Sequence, residues 1–159
     1  MLFNGNNNSS NEDFDEYLSL FRYKFKNDKF DVSGYTILKN KNAVLAIDTG
    51  NNPEKNYSEN YQSGPLSFEF FFKNAKLITN SGYFQDYNHQ LNSISKSTAT
   101  HSTLIIDNSS ACNFKKNDKG LSTVNKGFKT FDNEVAYEKS YWSIKCSHDG
   151  YLSRYGVIH

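Results

Sequence analysis

Asn60-Tyr61-Gln62-Ser63-Gly64-Pro65-Leu66-Ser67-Phe68-Glu69-Phe70, Lys76-Leu77-Ile78-Thr79-Asn80-Ser81-Gly82 and Ser97-Thr98-Ala99-Thr100-His101-Ser102-Thr103-Leu104-Ile105-Ile106-Asp107 are the three blocks whose reading decides the fold. Side chains alternate across a strand with period two. Leu66, Phe68, Phe70 and Phe72 therefore share one face, and Ser67 and Glu69 point the other way. Thr103, Ile105 and Asp107 alternate with Leu104 and Ile106 in the same manner. Three apolar strands thus alternate with three polar corners at Gln62, Asn80 and His101, and a rigid sheet presents such corners at its strand ends.

Outward from these blocks the pattern stays sheet-like. Upstream, Tyr35–Lys39 and Ala43–Asp48 read as strands joined by a tight turn at Asn40-Lys41-Asn42. Phe68–Phe72 and Lys76–Asn80 form a hairpin around Lys73-Asn74-Ala75. Downstream, strands are expected at Thr103–Asp107, Ala111–Phe114, Ser122–Val124, Phe128–Phe131, Val135–Glu138, Tyr141–Cys146 and Tyr151–Ile158, with a hairpin turn at Asp149-Gly150. Two long loops, Asn51–Gly64 and Ser81–Thr100, interrupt the strands, and loops of that length carry binding or lid functions. Before the sheet, Phe14, Tyr17, Leu18 and Phe21 recur at helical spacing behind the capping residues Ser10 and Asn11, which predicts a helix from about Glu12 to about Phe21. The fold expected is all-β: an antiparallel β-sandwich preceded by one short N-terminal helix.

Composition agrees. The 159 residues hold one core. Tyr and Phe are abundant while Leu, Ala and Met are sparse, which favours sheet over helix. The many Asn and Lys residues read as the bias of an AT-rich genome and carry no functional weight. Net charge is +1 with both signs mixed along the chain, so no basic patch of the kind nucleic acid requires is present. No apolar run approaches a membrane span. Met1–Gly5 lacks the charged-then-apolar order of a signal peptide. Cys112 and Cys146 lie far apart in sequence and read as two free thiols, with pairing left open by geometry. Phosphate-binding, dinucleotide and nucleophile-elbow motifs are absent.

In their order and spacing, the three blocks resemble the heparinase II/III-like family of bacterial polysaccharide lyases. The family pattern runs His-x-His-x-Asp-x-Leu-Ser-Phe, an apolar strand ending Asp-x-Gly, then Arg-Ser-Thr-x-x-His-Asn/Ser-Thr before another apolar strand and Asp. The corresponding residues here are Asn60-x-Gln62-x-Gly64-x-Leu66-Ser67-Phe68, Asn80-Ser81-Gly82 and Lys96-Ser97-Thr98-Ala99-Thr100-His101-Ser102-Thr103. The resemblance implies that residues 1–31 are the end of a preceding helical toroid domain. Residues 32–159 would be the β-sandwich domain, cut short at its C-terminus, with a stand-alone sandwich as the alternative. It implies cleavage of uronate-containing acidic polysaccharide by β-elimination, a toroid encoded upstream as partner, and a bacterial periplasm or cell envelope as the compartment.

The same resemblance assigns roles. Asn60 stands at the position of the sandwich's catalytic His, and a carboxamide donates hydrogen bonds but shuttles no proton at neutral pH. The positions of the structural zinc ligands of some relatives are Gln62, Asn80 and His101. One imidazole and two carboxamides make a poor zinc set, so no metal or other cofactor is expected. Gln62 and Asn80 are instead expected to hydrogen-bond His101 in a metal-free polar corner. Lys96 occupies the place of the family's Arg and would attract a carboxylate as a point charge. Tyr61, Tyr83 and Tyr87, with Tyr57 and Phe84, are the loop aromatics suited to stack on sugar rings or to cover the sandwich end. His89, His148 and His159 read as a solvated loop residue, a turn residue and a terminal residue. Two further readings stay open beside the lyase, inactive on its own without the toroid: a carbohydrate-binding module without chemistry, and a structural sandwich that docks onto a helical domain.

Overall fold

The computed structural model describes residues 29–32, 34–138 and 140–159, together with Leu20. The helix expected from Glu12 to Phe21 lies outside the described residues except for Leu20, which is helical.

Five strands form one antiparallel sheet in chain order: β1 (Lys29–Val32), β2 (Tyr35–Lys39), β3 (Ala43–Asp48), β4 (Phe68–Phe72) and β5 (Ala75–Ile78). The turn between β2 and β3 is built by Asn40, whose Oδ1 accepts from the backbone N–H of Asn42 at 2.9 Å and of Ala43 at 2.8 Å. This is the local side-chain turn that Asn favours. It sets a register of Lys39 opposite Val44 and Tyr35 opposite Asp48. β4 then pairs with β3, Ile47 opposite Phe68 and Ala43 opposite Phe72. The two ribbons that follow are β6 (Asn113–Lys116) with β7 (Ser122–Lys126) and β8 (Thr130–Tyr137) with β9 (Trp142–His148), both antiparallel. Among the described residues, Leu20 apart, helix is confined to α1 (Gln90–Ser95), α2 (Leu152–Tyr155) and two 3₁₀ turns, at Lys55–Tyr57 and Thr98–Thr100. The described chain is thus mostly strand in antiparallel sheets, an arrangement consistent with a β-sandwich.

A core of Ala111, Cys112, Phe128 and Tyr151 is flanked by Tyr61, Ile106, Phe114 and Tyr155. Loop amides tie the layers together. Phe128 N–H donates to Asn52 Oδ1 at 2.7 Å, and Thr130 N–H to Asn51 Oδ1 at 2.8 Å. Tyr137 OH reaches across to the Lys39 carbonyl at 2.8 Å. Cys112 and Cys146 are both free thiols.

Several expected strands take another form. Thr103–Asp107 is not a strand: Asp107 and Asn108 both have positive φ, and the chain folds back through a single Ile106–Ser109 bridge. Asp and Asn tolerate that left-handed conformation, so they turn the chain before an extended run can pair. Tyr151–Ile158 is not a strand either. Asp149 and Gly150 do not close a hairpin but lead into α2, which ends on Gly156 in the left-handed conformation. Tyr151 is fully buried and its OH donates to the Leu104 carbonyl at 3.0 Å and that of Ser109 at 3.1 Å, a tertiary demand that overrides the extended preference of its neighbours. The segments Phe128–Phe131 and Val135–Glu138 merge into β8, whose pairing with β9 shifts register between Phe131 and Glu134. The strand expected at Ala111–Phe114 begins later, as β6. Burial along β4 does not alternate, since all but Phe72 are half-buried, and Leu66 lies outside the strand at φ 57°.

Candidate functional site

The two long loops meet at the end of the sheet. Residues 51–64 dock first: the buried Ser58 Oγ accepts the N–H of Val124 in β7 at 2.8 Å and donates to the Lys55 carbonyl at 2.7 Å. Ser63 then binds the second loop. Its N–H donates to the Lys96 carbonyl at 2.9 Å, its carbonyl accepts from Thr98 Oγ1 at 2.6 Å, and its Oγ accepts from Cys112 N–H at 2.9 Å. Ser63 and Thr98 are both fully buried, so these bonds form away from competing water. In the second loop His89 caps α1, its Nδ1 accepting from Leu91 N–H at 3.1 Å. It is exposed, as a solvated loop residue, and also caps the helix.

This scaffold brings Asn60, Tyr83 and Tyr87 together. Asn60 Oδ1 accepts from Tyr83 OH and from Tyr87 OH, each at 3.1 Å. Behind them, Asn92 in α1 is 4% exposed. Its Nδ2 spends one proton on the Phe84 carbonyl at 2.6 Å and the other on Tyr83 OH at 3.3 Å. Burial pushes the Tyr83 phenol up from its ordinary pKa, with Asn92 opposing the rise and Tyr87 adding to it. Tyr83 thus keeps its proton at neutral pH. The Asn60 amide NH₂ has no partner among the described residues, so the cluster offers its two N–H donors beside two phenols. A shallow cavity of about 210 Å³ adjoins it, lined by Gly82, Tyr83, Phe84, Leu91 and Ile94 among others.

Tyr61 and Lys96 lie elsewhere. Tyr61 packs against the core, and its hydroxyl is buried without a partner. Desolvation raises its pKa far above the ordinary value. Lys96 is 1% exposed. Its ammonium donates to the Glu59 carbonyl and to that of Ser122 at 2.9 Å, and lies 5.5 Å from the centre of the Phe114 ring. Burial lowers its pKa, with Glu59 opposing. The expectation that Lys96 meets a substrate carboxylate is corrected: it pins the backbone immediately before Asn60. Tyr57 is 79% exposed, and no bond ties its hydroxyl to the cluster.

The corner at Gln62, Asn80 and His101 does not form the expected polar network around the imidazole. Gln62 Nε2 donates to the Ser95 carbonyl at 3.2 Å. Asn80 Oδ1 accepts from Ser102 N–H at 2.9 Å and from Ser102 Oγ at 3.1 Å, while Asn80 Nδ2 reaches Ser67 Oγ at 3.4 Å. Ser102 Oγ also accepts Phe68 N–H at 2.9 Å and bonds the Phe68 carbonyl, clasping β4. His101 Nδ1 donates to the Ser97 carbonyl at 2.8 Å, which leaves Nε2 as a buried lone pair without a partner. Burial lowers the His101 pKa, the Ser97 carbonyl opposing. The ring fills the space over Gly64, where a Cβ would stand 2.7 Å from His101 Cδ2. Two carboxamides already engaged with serines do not fit zinc, and no cluster of three or more His, Cys, Asp or Glu side chains suited to a metal occurs among the described residues.

The profile of the family heparinase II/III-like, C-terminal, matches residues 24–159. The chain belongs to this family. No curated protein and no solved structure matches it.

The heparinase II/III-like assignment makes this a domain of a polysaccharide lyase family. No helix among the described residues is long and apolar enough to cross a membrane. Sequence reasoning missed Asn92, Ser95 and Ser102, which hold this domain's loops in place. Ser95 Oγ accepts from Phe84 N–H at 3.2 Å and donates to the Asn92 carbonyl at 2.9 Å. In a chain so rich in Asn and Ser, composition alone could not single them out.

Proposed function

We propose that this domain presents the Asn60–Tyr83–Tyr87 cluster to a uronate-containing acidic polysaccharide, as the β-sandwich part of a lyase acting by β-elimination. The observation that carries the reading is the convergence of two loop tyrosines on the residue at the family's catalytic position. β-Elimination requires a base for the proton next to the carboxylate, an acid for the leaving oxygen, and stabilisation of the charge that builds on the carboxylate. Here the Asn60 NH₂ is suited to the third task. Tyr83, held protonated, is suited to donate its proton to the leaving oxygen by exchanging its bond to Asn60 Oδ1 for one to the substrate. Asn60 and Asn92 are carboxamides and Tyr83 is held protonated, so none of the three serves as the base. The base must come from another segment, which on this reading is a helical toroid domain, and the isolated chain would bind but not cleave.

That same lack of a base favours a second reading, a non-catalytic carbohydrate-binding module. Incubating the chain with heparan sulfate, hyaluronan and alginate, alone and with a helical lyase domain, and following unsaturated uronate by ultraviolet absorbance separates them. Product only with the helical domain, abolished by Tyr83→Phe, supports the lyase reading. Saturable binding with no product under any condition supports the module, and turnover by the isolated chain overturns the claim that it lacks a base.

A further inference from the structure

An open groove of about 690 Å³ is lined by Ile47, Leu66, Phe68, Leu104, His101 and His159, with Ser102 and Thr103. Its size is that of a small-molecule site. Four apolar side chains supply the floor, and among the described residues no Lys, Arg, Asp or Glu lines it.

The hydrogen bonds fix what the polar rim offers. His148 is fully buried. Its Nδ1 accepts from Gly150 N–H at 3.1 Å, so in the neutral ring the proton sits on Nε2. His148 Nε2 stands 3.1 Å from His159 Nδ1 and must be the donor. His159 Nδ1 is therefore an acceptor, and the His159 proton is on Nε2, which has no partner among the described residues. A reciprocal backbone bridge holds the two together: His148 N–H to His159 O at 2.7 Å, and His159 N–H to His148 O at 3.1 Å. A wholly buried imidazole is thus committed to setting the tautomer of a groove residue.

A second observation points to the same place. Leu66 on the groove floor holds φ 57°, a conformation that side chains other than Gly, Asn and Asp rarely adopt. It is kept there by its N–H to the Asp48 carbonyl at 2.9 Å and by Thr103 Oγ1 donating to the neighbouring Pro65 carbonyl at 2.7 Å. Backbone strain of this kind concentrates at ligand-binding positions.

We propose that this groove binds a neutral pyranose, the apolar face of the ring on Phe68, Leu66 and Leu104 and a ring hydroxyl accepting the Nε2 proton of His159. An apolar wall with one fixed donor matches a sugar ring, and the described lining holds no cation to pair with a uronate carboxylate. The site is distinct from the Asn60 cluster and does not rest on the lyase reading.

Two-bond ¹H–¹⁵N spectra of the imidazoles in the labelled chain, during titration with cellobiose and separately with glucuronate, test this. The expected result is Nε2–H tautomers for His148 and His159, with saturable cellobiose shifts at His159 Nε2 and at Phe68 and Leu104, and weaker response to glucuronate. His159→Ala and Leu104→Glu should each weaken cellobiose binding about tenfold, as for one hydrogen bond or apolar contact. Leu104 is 42% exposed, so its variant tests the groove even if His159→Ala disturbs the end of the chain. An Nδ1–H tautomer at His159, no saturation up to the solubility of cellobiose, undiminished binding in Leu104→Glu, or preference for glucuronate would overturn the proposal. Cellobiose binding with no turnover of acidic glycans even when a helical lyase domain is added leaves it standing while the lyase reading falls.

Discussion

The Asn60 cluster and the histidine groove solve the same problem, holding polar groups at the end of a sheet, with opposite chemistry. The cluster uses carboxamides, which do not titrate, and the Tyr83 phenol, whose pKa burial raises. Its partners at residues 60, 83, 87 and 92 come from two loops sewn together by Ser63, Thr98 and Lys96. The groove uses imidazoles whose tautomers are dictated from behind: His101 by the Ser97 carbonyl, and His159 by the buried His148, itself fixed by the Gly150 N–H. The cluster should therefore be insensitive to pH and sensitive to its loop anchors, and the groove the reverse.

The strongest way to break that contrast is at Lys96. Lys96→Met keeps the aliphatic stem against Phe114 and removes the ammonium, leaving the Glu59 and Ser122 carbonyls unpaired in a buried place. Losing charge-assisted bonds and orphaning their acceptors costs about 3 kcal/mol. Urea denaturation should show that loss, together with broadened resonances for Asn60. A loss below about 1 kcal/mol would mean that the loops hold Asn60 without the lysine.

The pH dependence sharpens the other half. His148 is lowered from 6.5 to about 4, chiefly by burial, then by His159, with Asp149 opposing. Its folded pKa lies below its unfolded one, so the unfolded chain binds more protons between about pH 4 and 6.5, and stability rises with pH through that window. His101 and His159, also lowered by burial, act with the same sign. Asp48, beside the groove residue Ile47, is raised from 3.8 to about 7 by burial, against the Gly50 N–H it accepts. It acts with the opposite sign: the folded chain binds more protons, and stability falls as pH rises from about 3.8 to 7. Each of these two groups is worth roughly 2–3 kcal/mol after solvent screening, so the wild-type profile should be shallow. His148→Phe should expose a stability that falls with rising pH, and Asp48→Asn one that rises. Parallel profiles in all three proteins would show that neither group is perturbed.

What the sequence made legible follows from the range of the forces involved. The β2–β3 and β4–β5 hairpins were readable because turn and alternation are local: Asn40 builds its own turn, and Lys73 supplies the positive φ between Phe72 and Ala75. Thr103–Asp107 and Tyr151–Ile158 were misread because their conformations are set by distant partners, Pro65 for Thr103 and Leu104 for Tyr151. The site divides in the same way. Asn60, Tyr83 and Tyr87 could be named from block order and loop position, and the structure joins them. Lys96 could not be placed, since a lysine that donates inward to two carbonyls looks in sequence like one that reaches out to a substrate. His148 and His159 read as a turn and a terminus because their pairing depends on a bridge that only the folded chain makes.

The smallest effect is the most discriminating within the cluster. Tyr83 and Tyr87 make the same bond to Asn60 at the same distance, yet they differ behind it. Tyr83 OH also accepts a proton of the buried Asn92, whereas Tyr87 is 45% exposed and has no such second partner. Removing the Tyr83 hydroxyl strands one N–H of a side chain that water cannot reach, and removing the Tyr87 hydroxyl strands nothing that water cannot replace. Tyr83→Phe should cost about 1 kcal/mol, and Tyr87→Phe no more than a few tenths. In a double-mutant cycle with Asn92→Ala, the Tyr83 cost should largely vanish while the Tyr87 cost is unchanged. Equal costs, or a Tyr83 cost that survives the loss of Asn92, would make the cluster two independent surface tyrosines. Asn60 would then be held by its own loop alone, and the convergence that supports a substrate-facing role would lose its physical basis.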